Sequence, residues 1–234
     1  MTLKTLYFVL ISLSCLKAVA DNSAFLKKVE TFIKNSTPVC ENLTKRLNKG
    51  RMTSSELIKG IQNIPVPSKE YLNLRKKALL LQPPVDAVFA FLPLESLKIC
   101  AEADLFNVVT SVLKKERTLN LSKKEKRRIG KALLSVSSRA LALDRPGTLY
   151  FFGILSLKLV EKGYLSASKN QLKALKAHLV RSKKLNEDFT RNLEQAVDVK
   201  DLSRAHRLLI SSQNKIQELR EDAQLMATQL LDKN

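Results

Sequence analysis

Tryptophan is absent from this 234-residue chain, and histidine occurs only twice. His178 and His206 stand far apart, so metal binding and imidazole acid–base chemistry have little to start from. Six glycines and seven prolines are few, which argues against a turn-rich β-sandwich or barrel. No stretch alternates apolar and polar residues as a half-buried strand would. Nor does any apolar run reach the length needed to cross about 30 Å of hydrocarbon. G-x-S-x-G, H-E-x-x-H, C-x-x-C and Gly-rich phosphate loops are all missing. Glu187-Asp188 and Glu221-Asp222 are adjacent acidic pairs, and neighbours on a helix point in different directions, so neither is a ready carboxylate dyad. These absences lead us to expect no enzyme activity, no cofactor and no metal. The composition is 44% hydrophobic and 27% charged, as expected of a globular chain and not of a disordered one.

Negative charge is also scarce. Forty-one Lys and Arg face 22 Asp and Glu, a formal charge of +19. An excess of this size implies polyanionic partners. The first twenty residues, MTLKTLYFVLISLSCLKAVA, narrow which ones. Lys4 forms a positive start, Thr5 to Leu16 an apolar stretch, and Ala18-Val19-Ala20 a small-residue cleavage site. Residues 1–20 therefore read as a secretory signal peptide cut before Asp21. A lipoprotein ending at Cys15 fits less well, since Ser14 stands where Gly or Ala is usual. Losing Lys4 and Lys17 brings the mature charge to +17.

Cleavage would leave only Cys40 and Cys100. In an oxidising compartment the two are expected to pair, closing a long loop worth roughly 4 kcal/mol. Two free buried thiols are the alternative. Asn35-Ser-Thr, Asn42-Leu-Thr and Asn120-Leu-Ser are glycosylation sequons, the first weakened by Pro38.

The mature chain carries helical periodicity almost throughout, so residues 21–234 are expected to form a single all-α domain of about nine to eleven helices. Phe25, Val29 and Phe32, then Cys40, Leu43 and Leu47, share one helical face. Thr53 or Ser54 caps a short helix bearing Leu57, Ile58 and Ile61, and Ser68 starts another. Pro93 is expected to hinge two short helices within residues 85–101. Asp104 to Leu119 predicts an amphipathic helix. Ser122 and Glu125 form a capping box opening a helix through Leu143. Thr148 to Val160, apolar on nearly every face, reads as the buried central helix. Helices over 168–182 and 186–197 precede a long last one over 199–231. That last helix carries apolar or small residues at strict three–four spacing from Leu202 to Leu230. Packing within the same chain is the favoured reading, and homodimerisation through this helix stays open.

The dense constellation is cationic. Residues 114–131 read KKERTLNLSKKEKRRIGK, net +7, with Lys114, Lys115, Arg117, Lys123, Lys124, Lys126, Arg127, Arg128 and Lys131. Lys124, Arg127, Arg128 and Lys131 recur at helical spacing on one side. Arginine forks suit sulfate, phosphate or carboxylate, and lysine adds point charge. The helix N-terminus adds partial positive charge of its own. Cations in a first helical turn oppose the helix dipole, so local stability does not reward them there. A sulfated glycosaminoglycan is the expected partner; a merely solvated face is the plainer alternative. Nucleic acid is not expected, because the chain reads as secreted and 114–131 holds no aromatic for base stacking.

The leader, the Cys40/Cys100 pair, KKEKRR at 123–128 and the long C-terminal helix together resemble the small helical secreted proteins of blood-feeding insect saliva. The chain departs from the odorant-binding-like salivary proteins, which carry more cysteines. The resemblance implies a glycoprotein acting on a host by binding haemostatic components, inflammatory mediators or immune-cell surfaces. A second reading is a helical carrier of a small apolar ligand or lipid, with Phe89, Phe91, Tyr150, Phe151 and Phe152 around its cavity. Membrane disruption by cationic helices is a third, which a disulfide-clipped fold would disfavour.

Overall fold

A computed structural model describes residues 22–35, 49, 52–64, 68–96, 100–114 and 119–233. The leader at 1–20, Cys40, Asn42, Lys115 and Arg117 lie outside the described residues, as does the side chain of Cys100. The described residues form nine α-helices and no strand. In chain order these are α1 (Ser23–Asn35), α2 (Ser54–Gln62), α3 (Lys69–Leu79), α4 (Pro84–Ser96), α5 (Cys100–Lys114), α6 (Lys123–Ala140), α7 (Pro146–Glu161), α8 (Lys169–Asp198) and α9 (Leu202–Lys233). A 3₁₀ turn, Leu141–Leu143, follows α6.

Helix starts follow side-chain capping. Thr53 and Ser122 each make a full capping box with the glutamate three residues on, Glu56 and Glu125. Ser68 caps α3 by accepting from the Tyr71 amide at 3.1 Å. Pro146 occupies the first turn of α7, where its missing N–H costs nothing. Two helix ends share one device. After α7, Gly163 takes φ +71°, and the Tyr164 amide reaches back to the Leu159 carbonyl at 2.8 Å. After α8, Lys200 takes φ +57° and the Asp201 amide reaches Ala196 at 2.8 Å. Both are Schellman-type ends. Asp201 then caps α9, accepting from the Arg204 amide at 2.8 Å, so the turn into the last helix is only three residues long.

The helices gather into two compact units. The first holds α1, α3, α4, the end of α8 from Glu187 and the start of α9 to Lys215. Its buried residues include Val29, Tyr71, Leu74, Phe91, Leu94, Ala196 and Leu209. Arg75 is buried there, with its Nε 3.0 Å from Glu95 Oε2 and its guanidinium 4.8 Å from the Phe91 ring centre. Burial of this charge is made tolerable by the paired carboxylate and the aromatic face. His206, also buried, donates from Nε2 to the Leu79 carbonyl at 2.9 Å.

The second unit holds α2, α5, α6, α7, the start of α8 and the end of α9 from Ile216. Here α6 packs against α2, α5 and α7, and Ile129, Leu133, Leu134 and Val136 are buried along it. Leu149, Phe152, Leu155 and Leu159 of α7 are also wholly buried, in line with the reading of that segment as a core helix. Within this unit α8 and α9 run antiparallel. Gln171 donates to the Gln229 carbonyl at 3.3 Å, and Arg181 pairs with Asp222 at 2.6 Å. Ile216, Leu219, Ala223, Met226 and Leu230, expected as a seam, are buried within the chain itself.

Several boundaries differ from expectation: α5 begins at Cys100 and not at Asp104, and α6 ends at Ala140, where a 3₁₀ turn takes over to Leu143. Pro93 lies inside a continuous α4 and does not hinge it. The two helices expected over 168–182 and 186–197 are one continuous helix, α8, because no Gly or Pro interrupts it.

Candidate polyanion-binding surface

Ser122 and Glu125 build the start of α6. The Ser122 amide and hydroxyl both donate to Glu125 Oε2, at 2.9 and 2.7 Å, and Ser54 Oγ donates to Oε1. The Ser54 hydrogen bond contributes most to holding this carboxyl at about 2, followed by the Ser122 contacts and, last, the Arg128 charge. An ionised glutamate thus sits in the first turn of a helix crowded with cations. It supplies the negative charge that the helix dipole favours there.

Around this anchor Lys123, Lys124, Arg127 and Arg128 are exposed, and Lys126 and Lys131 are half-buried. Lys126 turns to the Tyr164 ring, its Nζ 5.7 Å from the ring centre. Lys114 is exposed at the end of α5. Among the described residues no ion pair within 4 Å holds Lys123, Lys124, Arg128 or Lys131. Of the sequons, Asn35 is exposed at the end of α1. Asn120 is exposed in a turn at φ +41°, two residues before the α6 cap.

The stripe continues past the expected patch. Arg128, Lys131, Ala132, Ser135, Val136 and Arg139 line a cleft of about 360 Å³, opposite Ile58 and Gln62 of α2 and beside Leu231 of α9. Arg139 donates from Nη2 to the Gln62 carbonyl at 3.2 Å, which ties its guanidinium to the cleft edge. The patch expected to end at Lys131 is continued at helical spacing by Ser135 and Arg139.

Both histidines are buried, although His178 lies on a Lys-rich helix and His206 stands between Arg204 and Arg207. His178 is fully buried, its Nε2 3.2 Å from the Leu149 carbonyl and its ring edge-on to Phe152 at 5.8 Å. Burial pushes the imidazole below its ordinary value, with the Leu149 carbonyl opposing. Both imidazoles are therefore committed to main-chain carbonyls. Of the aromatic residues expected around a ligand cavity, Phe89 and Phe91 belong to the first unit and Tyr150, Phe151 and Phe152 to the second. Phe91 and Phe152 are wholly buried, and Phe151 packs on Phe106 at 5.4 Å.

Among the described residues no group of three or more His, Cys, Asp or Glu could hold a metal ion, and no helix is long and apolar enough to cross a membrane. Comparison of the chain with protein-family models, curated proteins and solved structures found no match.

Proposed function

We propose that this chain is a secreted, non-enzymatic binding protein that docks on sulfated glycosaminoglycans through the start of α6. The observation carrying this reading is the cluster of Lys123, Lys124 and Arg128, exposed around a capped helix start and outside any ion pair among the described residues. Cations outside ion pairs present their full charge to a sulfated chain, with the helix dipole already answered by Glu125. The docked protein then acts on a host extracellular protein or cell-surface receptor, as the likeness to salivary effectors suggests. Cleavage after Ala20, a Cys40–Cys100 bridge and glycans on the sequons belong to the same proposal.

Salt-dependent retention on immobilised heparin tests the surface. Replacing Lys124, Arg127, Arg128 and Lys131 with Ser is expected to move elution to markedly lower salt. Unchanged elution would remove α6 as the docking element. N-terminal sequencing of protein from the culture medium tests the compartment, with Asp21 as the expected first residue.

A further inference from the structure

We infer that the cleft between α2 and α6 is a binding site for a single-chain anionic amphiphile, a molecule with one carboxylate, sulfate or phosphate head and a short alkyl body. This is a different use of the molecule from docking on a glycan, and it rests on the makeup of the cleft walls. Half-buried Leu231 and the small exposed parts of Ile58, Ala132 and Val136, which are 6%, 5% and 2% accessible, supply an apolar lining. Arg128, Lys131 and Arg139 supply three cations, and no Asp or Glu lines the cleft. Gln62 and Ser135 add neutral polar groups.

A sulfated sugar chain has no use for the apolar lining, and a neutral lipid has none for the cations. An alkyl carboxylate uses both. Its chain covers apolar surface at roughly 25 cal/mol per Å² removed from water, and its head meets arginine forks. Arg139, exposed at the cleft edge, donates from Nη2 to the Gln62 carbonyl at 3.2 Å and keeps its remaining donors for a head group. Arg128 and Lys131 have no ion-pair partner to surrender among the described residues. The cleft volume of about 360 Å³ is at the small end of ligand sites, which favours a short chain over a long one.

Methyl-labelled NMR titration of the full secreted chain tests this with octanoate, 1-octanol and acetate as probes. Octanoate is expected to shift the methyls of Ile58, Ala132, Val136 and Leu231 saturably, with a Kd at least tenfold below those of 1-octanol and acetate. The double variant Arg128→Gln/Lys131→Gln is expected to weaken octanoate at least tenfold while its melting temperature holds. Ser135→Phe, which fills the cleft without changing charge, is expected to weaken octanoate and leave heparin elution unchanged. That last pair of readouts separates this site from the glycan surface. Equal affinity for octanoate and 1-octanol, octanoate shifts confined to other methyls, or full binding by the double variant would overturn the inference.

Discussion

Ser54 Oγ donates a hydrogen bond to Glu125, joining the first residue of α2 to the first turn of α6. Each helix already carries its own capping box, so this contact links two capped ends across 71 positions of sequence. Glu125 is the hub. It accepts from α2 on one oxygen and closes the α6 cap with the other.

Acid should therefore loosen this corner. The Glu125 carboxyl is depressed from 4.5 to about 2, so the stability it lends is present above pH 4.5 and disappears as the pH falls toward 2. Thermal melts of Glu125→Gln are expected to show a lower melting temperature than the parent at pH 7 and a smaller loss between pH 4.5 and 2. Ser122→Ala, which removes the cap, is expected to cost about 1 kcal/mol at neutral pH. Parallel melting curves for parent and Glu125→Gln across that acid range would contradict this role.

His178 governs a separate window. Its folded value is depressed, so the unfolded chain takes up the proton first as the pH drops below 6.5. Stability should fall from that point down to the native value and then level off with respect to this group. Nδ1 has no hydrogen-bond partner among the described residues, so a proton placed there meets no acceptor. Urea unfolding of His178→Gln is expected to be weaker than the parent at pH 7.5 and flatter between pH 6.5 and 5. A parent curve already flat over that interval would refute the assignment.

Gly130 marks a close approach that helix propensity alone would misjudge. An added Cβ would lie 2.7 Å from the Tyr164 carbonyl oxygen, a main-chain atom that cannot swing away. Propensity favours Ala by about 1 kcal/mol in a helix interior. Overpacking of this kind costs about 1–3 kcal/mol. Gly130→Ala is thus expected to destabilise the protein. Gly153→Ala, with its nearest contact at 3.2 Å, is expected to be milder. Chemical denaturation of both variants checks the order.

What could be seen in the sequence was mostly local. The Ser122/Glu125 box and the cap at Thr53 or Ser54 need only a few neighbouring residues; the box occurs as expected, and of the two capping residues it is Thr53 that caps. Pro93 departs from the hinge expected of it, since a missing amide ordinarily ends a helix. Here Phe91, Leu92 and Leu94 are buried around it, and tertiary packing carries α4 through. The burial of His178 had a visible signal. Leu175, His178 and Ser182 are spaced three and four apart and are all buried, one stripe along α8. Two cues were non-local, the Ser54–Glu125 contact and the pairing of α2 with Arg128, Lys131 and Arg139 around a cleft. No sequence window contains both walls of that cleft.

The most direct measurement of the central claim is heparin affinity as a function of salt. Counterion release makes the logarithm of affinity fall with the logarithm of salt concentration, by roughly 0.7–0.9 per engaged cation on nucleic acid polyanions. The parent is expected to give a steep slope. Replacing Lys123, Lys124, Arg127 and Arg128 with Gln is expected to reduce it by about 3. The same number of replacements at Lys169, Lys173, Lys176 and Lys183 of α8 is expected to change it little. Equal reductions from the two sets would mean that heparin senses only total charge, and the α6 surface would lose its claim to be a site.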